Sequence, residues 1–171
     1  IVGEPDPAIR RILADEASRR GATPVRIVAE EGSAEAIEVL ATGTRFRWRR
    51  GGTSQALLTG IPGRHQANNA IVALTMLDAL PEDLRVSASD AADALATVTL
   101  PGRFSRSGDW IFDVAHNPQG SSVTAETLRE IGARVEATRY FDDHHAYTLS
   151  DMTSVLAQAR RECLQIVTTS K

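Results

Sequence analysis

The chain has 171 residues, 42% of them hydrophobic and 24% charged, enough to bury one good core or two small ones. Its 19 basic and 22 acidic residues leave a formal net charge of −3, so nothing in the composition points to nucleic acid or an anionic membrane as a partner. The single cysteine, Cys163, excludes an internal disulfide framework and fits a reducing, cytoplasmic compartment, and no apolar run reaches the roughly 18–20 residues of a membrane span.

Ile1-Val2-Gly3 opens the chain as though a strand had been entered midway, so the sequence reads as a fragment. Asp6 is placed to cap a helix with Pro7 in its first turn, where a missing N–H costs nothing. Ile9, Ile12, Leu13 and Ala17 fall on one face of that helix, and Gly21 ends it. A strand is expected over Val25–Ala29, which would complete a βαβ unit. Short strands over Ala36–Ala41, Thr44–Trp48 and Gln55–Thr59, divided by Thr42-Gly43 and Gly51-Gly52, predict an antiparallel meander. Arg45, Arg47, Arg49 and Arg50 make a basic patch on it, which reads as a solvated strand face.

After the turn Gly60-Ile-Pro-Gly63, the apolar spacing predicts a helix over Gln66–Leu80. Ser87 with Asp90 forms a capping box for a second helix, Ser87–Val98. Leu100-Pro-Gly-Arg-Phe104 is the expected boundary. Beyond it come strand Trp110–Val114, helix Ser122–Ile131, strand Arg134–Thr138, helix Leu149–Arg161 with a Thr148–Asp151 capping box, and strand Leu164–Thr168. Regular alternation of this kind predicts an α/β segment with a parallel sheet. Cys163 and the aromatics Tyr140, Phe141 and Tyr147 read as structural.

Three polar clusters carry the chemistry. In open α/β sheets ligands bind beyond the carboxyl ends of strands, where Asp113-Val-Ala-His116-Asn117-Pro118 is expected. There Asp113 can accept from ribose hydroxyls and His116 can donate to a phosphate or lie against a base; equally, Asp113 and Asn117 can serve as caps for the next helix. His65, Gln66 and Asn69 are expected in the first turn of an apolar helix, an end that favours anionic or polar ligands. Arg103 in the Pro-Gly turn suits a phosphate or a helix terminus.

The segments GIPGRHQANNA, LPGRF and IFDVAHNPQG, in this order and spacing, resemble folylpolyglutamate synthase/dihydrofolate synthase of the Mur ligase superfamily over about residues 1–125. The resemblance implies the end of a central ATPase domain over 1–99 and a Rossmann-like C-terminal α/β segment over 100–171. It implies ATP and Mg²⁺ as cofactors, folate or dihydropteroate and glutamate as substrates, and amide formation through an acyl phosphate. By motif match Asn69 would contact adenine, Arg103 the phosphates, and Asp113 and His116 the ribose and the far side of the nucleotide. No G-x-x-x-x-G-K-[ST] phosphate loop occurs in the 171 residues, and the family's metal ligands belong upstream of the matched segments, so the chain alone is expected to be inactive.

From about residue 126 the pattern changes. LREIGARVEATRYFDDHHAYTLSDM and LQIVTTSK resemble the C-terminal part of tetraacyldisaccharide 4′-kinase, the lipid A kinase. That resemblance implies Asp143 and His144 as the acidic–imidazole pair near the phosphoacceptor. Read without it, Asp142-Asp143-His144-His145 suits metal binding, general-base chemistry or an exposed polar loop, and a DHH phosphoesterase would need further aspartate motifs that the sequence lacks. Three functions stay open: a fragment of an ATP-dependent ligase, a fragment of a lipid kinase, or a non-catalytic nucleotide-binding remnant.

Overall fold

The computed structural model describes residues 1–108, 110–115, 117–139, 141 and 145–169. They form two compact units, Ile1–Val98 and Thr99–Lys171.

In the first unit the Asp6 carboxylate accepts from the backbone N–H groups of Ala8 at 2.8 Å and Ile9 at 3.1 Å, and helix α1 runs Pro7–Arg19. Its apolar stripe faces outward: Ile9, Ile12 and Leu13 are all exposed, Ile12 by 64%. The expected strand Val25–Ala29 shrinks to a single parallel bridge between Val2 and Ile27. Val28 instead starts a short helix, α2 (Val28–Glu31), which turns its own side chain into the core and brings Glu31 against Arg26.

The meander follows as β1 (Gly32–Leu40), β2 (Gly43–Arg50) and β3 (Thr53–Thr59), all antiparallel. Gly51 and Gly52 both take positive φ, the backbone that a two-residue hairpin turn demands. Phe46 of β2 pairs across the ladder with Leu57 of β3, and both are buried. Helix α3 (Arg64–Asp78) lays Ala67, Ala70, Ile71 and Leu74 on that face, at helical spacing. Helix α4 (Ala88–Thr97), capped by Ser87, adds Ala91.

The predicted basic patch is largely paired. Arg45 meets Glu38 and Arg49 meets Glu35. Arg50 and Arg26 share Glu31 and Asp78, with 2.9 Å from each guanidinium to Asp78. These cations hold the Glu31 and Asp78 carboxyls below the usual carboxylate range: the Arg26 hydrogen bond is the main cause for Glu31, and the Arg50 hydrogen bond for Asp78. The network ties α2, β2 and the end of α3 together.

The second unit is built on a three-stranded sheet of β4 (Ser105–Ser107), β5 (Trp110–Asp113) and β6 (Ile166–Thr169). Strand β5 is central, antiparallel to β4 and parallel to β6. Helices α5 (Pro118–Glu130) and α6 (Leu149–Glu162) lie between the parallel strands in sequence, as the alternation predicts. Phe104, Ile111 and Leu128 form the small core, with Ile131 and Val167 against it. The expected strand Arg134–Thr138 does not form: every residue of it is exposed and outside regular structure. Only Val135 and Ala137 offer apolar surface there, and Arg134 pairs with Glu136, so too little burial is available to offset the cost of ordering a strand. Cys163 ends α6 in the left-handed conformation, φ 53°.

Candidate functional site

The loop ahead of α3 is clamped from below. The buried Thr44 hydroxyl lies 3.0 Å from the carbonyl of Ile61 and 3.1 Å from that of Gly63. Gly60 donates its N–H to Leu95, and a Cβ there would come within 2.5 Å of the Val98 carbonyl, so only glycine fits. Gly63, with φ 125°, opens α3 without a side-chain cap. One ring nitrogen of His65 lies 2.8 Å from the Gln66 amide, and Asn69 donates to the Gln66 oxygen at 3.1 Å. Asn69 is exposed and sits in the second turn of α3 rather than the first.

In the second unit, Leu100–Phe104 is a turn closed by the Arg103 N–H on the Leu100 carbonyl at 3.0 Å. Gly102 (φ 73°) and Phe104 (φ 50°) flank Arg103 with positive φ on both sides. The Phe104 ring is buried in the small core, whereas Arg103 is exposed and its guanidinium has no hydrogen bond or ion pair with any described residue. Ser105 Oγ receives the Gly102 N–H at 3.1 Å and lies 3.5 Å from the Phe112 carbonyl.

Asp113 closes the opposite side of this turn. Its Oδ2 accepts the Phe104 N–H at 3.1 Å and its Oδ1 the Ala115 N–H at 3.0 Å, while the Thr124 hydroxyl lies 3.2 Å from Oδ1 and 3.1 Å from the Gly120 carbonyl. Asn117 caps α5 by accepting the Gly120 N–H at 2.7 Å. The capping alternative therefore holds for Asn117, while Asp113 reaches back to the turn and forward to the body of α5. No sequence signal marked Thr124 or Ser105 as partners, because both reach their targets only once β4, β5 and α5 have packed. His116, Asp143 and His144 lie outside the described residues, so Arg103 and Asp113, joined through the Phe104 backbone, are the expected site residues that the second unit brings together. Asn69 belongs to the first.

In the tail, the rings of Phe141, His145 and Tyr147 meet at centroid distances of 4.9 to 5.2 Å, the loop packing expected of these aromatics. Tyr140 lies outside the described residues. His145 lies 3.1 Å from Asp151, which also accepts from the Thr148 N–H and hydroxyl and so completes the capping box. The Thr148 donors, then His145, hold the Asp151 carboxyl down at about 2. Arg139 bonds Ser154 and Gln158 of α6. Among the described residues no three His, Cys, Asp or Glu side chains gather as a metal site, and no helix is long and apolar enough to cross a membrane.

The tetraacyldisaccharide-1-P 4′-kinase family matches residues 118–171, eight residues earlier than the change of pattern expected near 126. The tetraacyldisaccharide 4′-kinase of Methylobacterium nodulans is 52% identical over 46 residues, 27% of this chain and 14% of that enzyme. The dihydrofolate synthase/folylpolyglutamate synthase of Mycobacterium tuberculosis is 34% identical over 138 residues, 75% of this chain and 28% of that enzyme. The solved folylpolyglutamate synthase of the same organism, complexed with ADP and AMPPCP, superposes with a TM-score of 0.57 at 28% identity, over 73% of this chain and 29% of that one. The enzyme from Lactobacillus casei superposes over 97% of this chain and 49% of its own, with a TM-score of 0.74 at 16% identity, and so shares the fold. The chain spans less than a third of the length of these curated relatives. It is thus similar to folylpolyglutamate synthase over most of its length and to tetraacyldisaccharide 4′-kinase over its C-terminal 118–171.

Proposed function

We propose that this chain is the nucleotide-facing part of an ATP-dependent ligase that adds glutamate to folate or dihydropteroate through an acyl phosphate. In this reading residues 1–99 end a central ATP-binding domain and 100–171 begin a Rossmann-like one. The observation that carries it is Arg103: a guanidinium with no hydrogen bond or ion pair among the described residues, presented by a turn that is held on both sides. Such a group suits bidentate contact with phosphate oxygens, and in the ligase it would offset the charge of the phosphoryl group in transfer. Asn69 would lie against the adenine, and Asp113 and His116 on the ribose side. Mg²⁺ would help spread phosphoryl charge, but the described residues offer no site for it, and its ligands would come from elsewhere in the ligase. The family match to residues 118–171 supports a second reading, a lipid A 4′-kinase fragment with Asp143 and His144 near the phosphoacceptor.

Calorimetric titration of the full chain with AMPPCP tests the ligase reading. Weak binding is expected, reduced about 10- to 100-fold by Arg103→Ala, the usual worth of a charge-assisted contact. Binding unaffected by Arg103→Ala but lost with His144→Ala would favour the kinase reading. No glutamate-dependent phosphate release is expected from the chain alone, because groups that stabilise the transferring phosphoryl are missing and each is worth about 10²–10³ in rate.

A further inference from the structure

We infer that Gln66 is a positioning residue that sets the base preference of the nucleotide site by fixing the amide of Asn69, an inference that rests on the ligase reading of Asn69. The two residues stand three apart on α3 and so share one face of the helix. Gln66 is only 8% exposed, whereas Asn69 is exposed. The buried amide is engaged at both ends. Its nitrogen lies 2.8 Å from a ring nitrogen of His65, and its oxygen accepts the Asn69 Nδ2–H at 3.1 Å. A side chain so enclosed acts on a ligand through its exposed neighbour.

The polarity of these bonds runs one way. Two nitrogens at 2.8 Å bond only when one of them offers a lone pair, and an amide nitrogen offers none, so the His65 nitrogen accepts and Gln66 donates. The Gln66 oxygen is thereby turned toward Asn69, where it can only accept. Asn69 must spend one N–H on it, its side chain's one hydrogen bond among the described residues, which leaves its oxygen and its second N–H for a ligand. The torsion that carries an Asn amide is broad and roughly two-fold, so without Gln66 both orientations would be open. An acceptor beside a donor matches adenine, which sets an amino donor beside a ring-nitrogen acceptor; guanine carries an acceptor oxygen where adenine has the amino group. The reversed amide would turn its N–H groups outward and suit that oxygen instead. Gln66 thus favours adenine over guanine without touching either.

Titration of the full chain with AMPPCP and with its guanine counterpart GMPPCP tests this. Gln66→Met keeps a similar shape but removes the acceptor, whereas Gln66→Glu keeps an acceptor toward Asn69. Gln66→Met should weaken AMPPCP binding and lower the AMPPCP-over-GMPPCP preference by about 3- to 10-fold, the worth of one neutral hydrogen bond. Gln66→Glu should retain the preference. In the Asn69→Ala background Gln66→Met should change AMPPCP affinity by under about 2-fold, the signature of coupled residues. Equal weakening of both nucleotides by Gln66→Met would reduce Gln66 to a structural role and overturn the inference. So would Asn69→Ala binding AMPPCP as well as wild type, and a loss on Arg103→Ala would then still uphold the ligase reading. Wild type failing to bind AMPPCP would overturn both. Should Gln66→Met fail to fold, His65→Phe frees the far end of the same buried amide, and the loss of preference it causes must likewise vanish in the Asn69→Ala background.

Discussion

The two units bury themselves by different means. In the first, Phe46 is 1% exposed and sits among Leu57, Ala67, Ala70, Ile71 and Leu74, so a sheet face and a helix face close on each other. In the second, the buried cluster among the described residues is Phe104, Ile111 and Leu128, joined by polar latches: Asp113 on the Phe104 and Ala115 backbones, Asn117 on α5, and the Thr148–Asp151 box with His145 on α6. Apolar packing suits a scaffold, because it is non-directional and tolerant. Directional hydrogen bonds suit loops that must hold one geometry beside water. The candidate phosphate group, Arg103, stands on the latched unit.

The difference is broken most sharply by removing core atoms. Phe46→Ala should destabilise the first unit by about 3–5 kcal/mol, and Ile111→Ala the second by about 2–5 kcal/mol. Each should shift its own transition in urea, followed by tryptophan fluorescence from Trp48 in the first unit and Trp110 in the second. If both changes moved both transitions equally, the units would share one cooperative core and the contrast would be lost.

Acid should act next. Glu31 and Asp78 have folded pKa values below their unfolded ones, so their contribution is fully present above the unfolded values of about 4 and fades as pH falls through the lower folded values. Urea midpoints of the first unit should therefore drop between about pH 4.5 and pH 3, and drop less in the Glu31→Gln/Asp78→Asn double variant. An equal drop in that variant would place the acid sensitivity elsewhere. The smallest effect is expected at a latch: Asn117→Ala should cost the second unit about 1 kcal/mol, as lost caps do. It should leave AMPPCP affinity unchanged, which titration and urea melts on one preparation would check.

Much of this fold was legible because its signals are local. The Asp6, Ser87 and Thr148 caps, the meander turns, and the central strand at Trp110–Asp113 follow from patterns a few residues long. The failures at Val25–Ala29 and Arg134–Thr138 share a cause: β-favouring composition makes a strand only where a neighbour supplies a ladder and a burying face. Ile27 finds a partner in Val2 alone, and none of residues 134–138 pairs in either sheet. The site was half legible. Arg103 and Asp113 stood out by residue type and motif, but the bond from Asp113 to the Phe104 backbone spans nine residues and exists only after the sheet forms.

The end of α6 carries a practical consequence. Cys163 is the only thiol in the chain, it is exposed, and it occupies a left-handed position that glycine takes without steric cost. Serine, the customary substitute, would keep that conformational cost, whereas Cys163→Gly would remove the thiol and relax the backbone together. The resulting cysteine-free background would accept pairs of introduced labels, one in each unit, turning the separation between them into a distance that fluorescence transfer could follow as nucleotide is added.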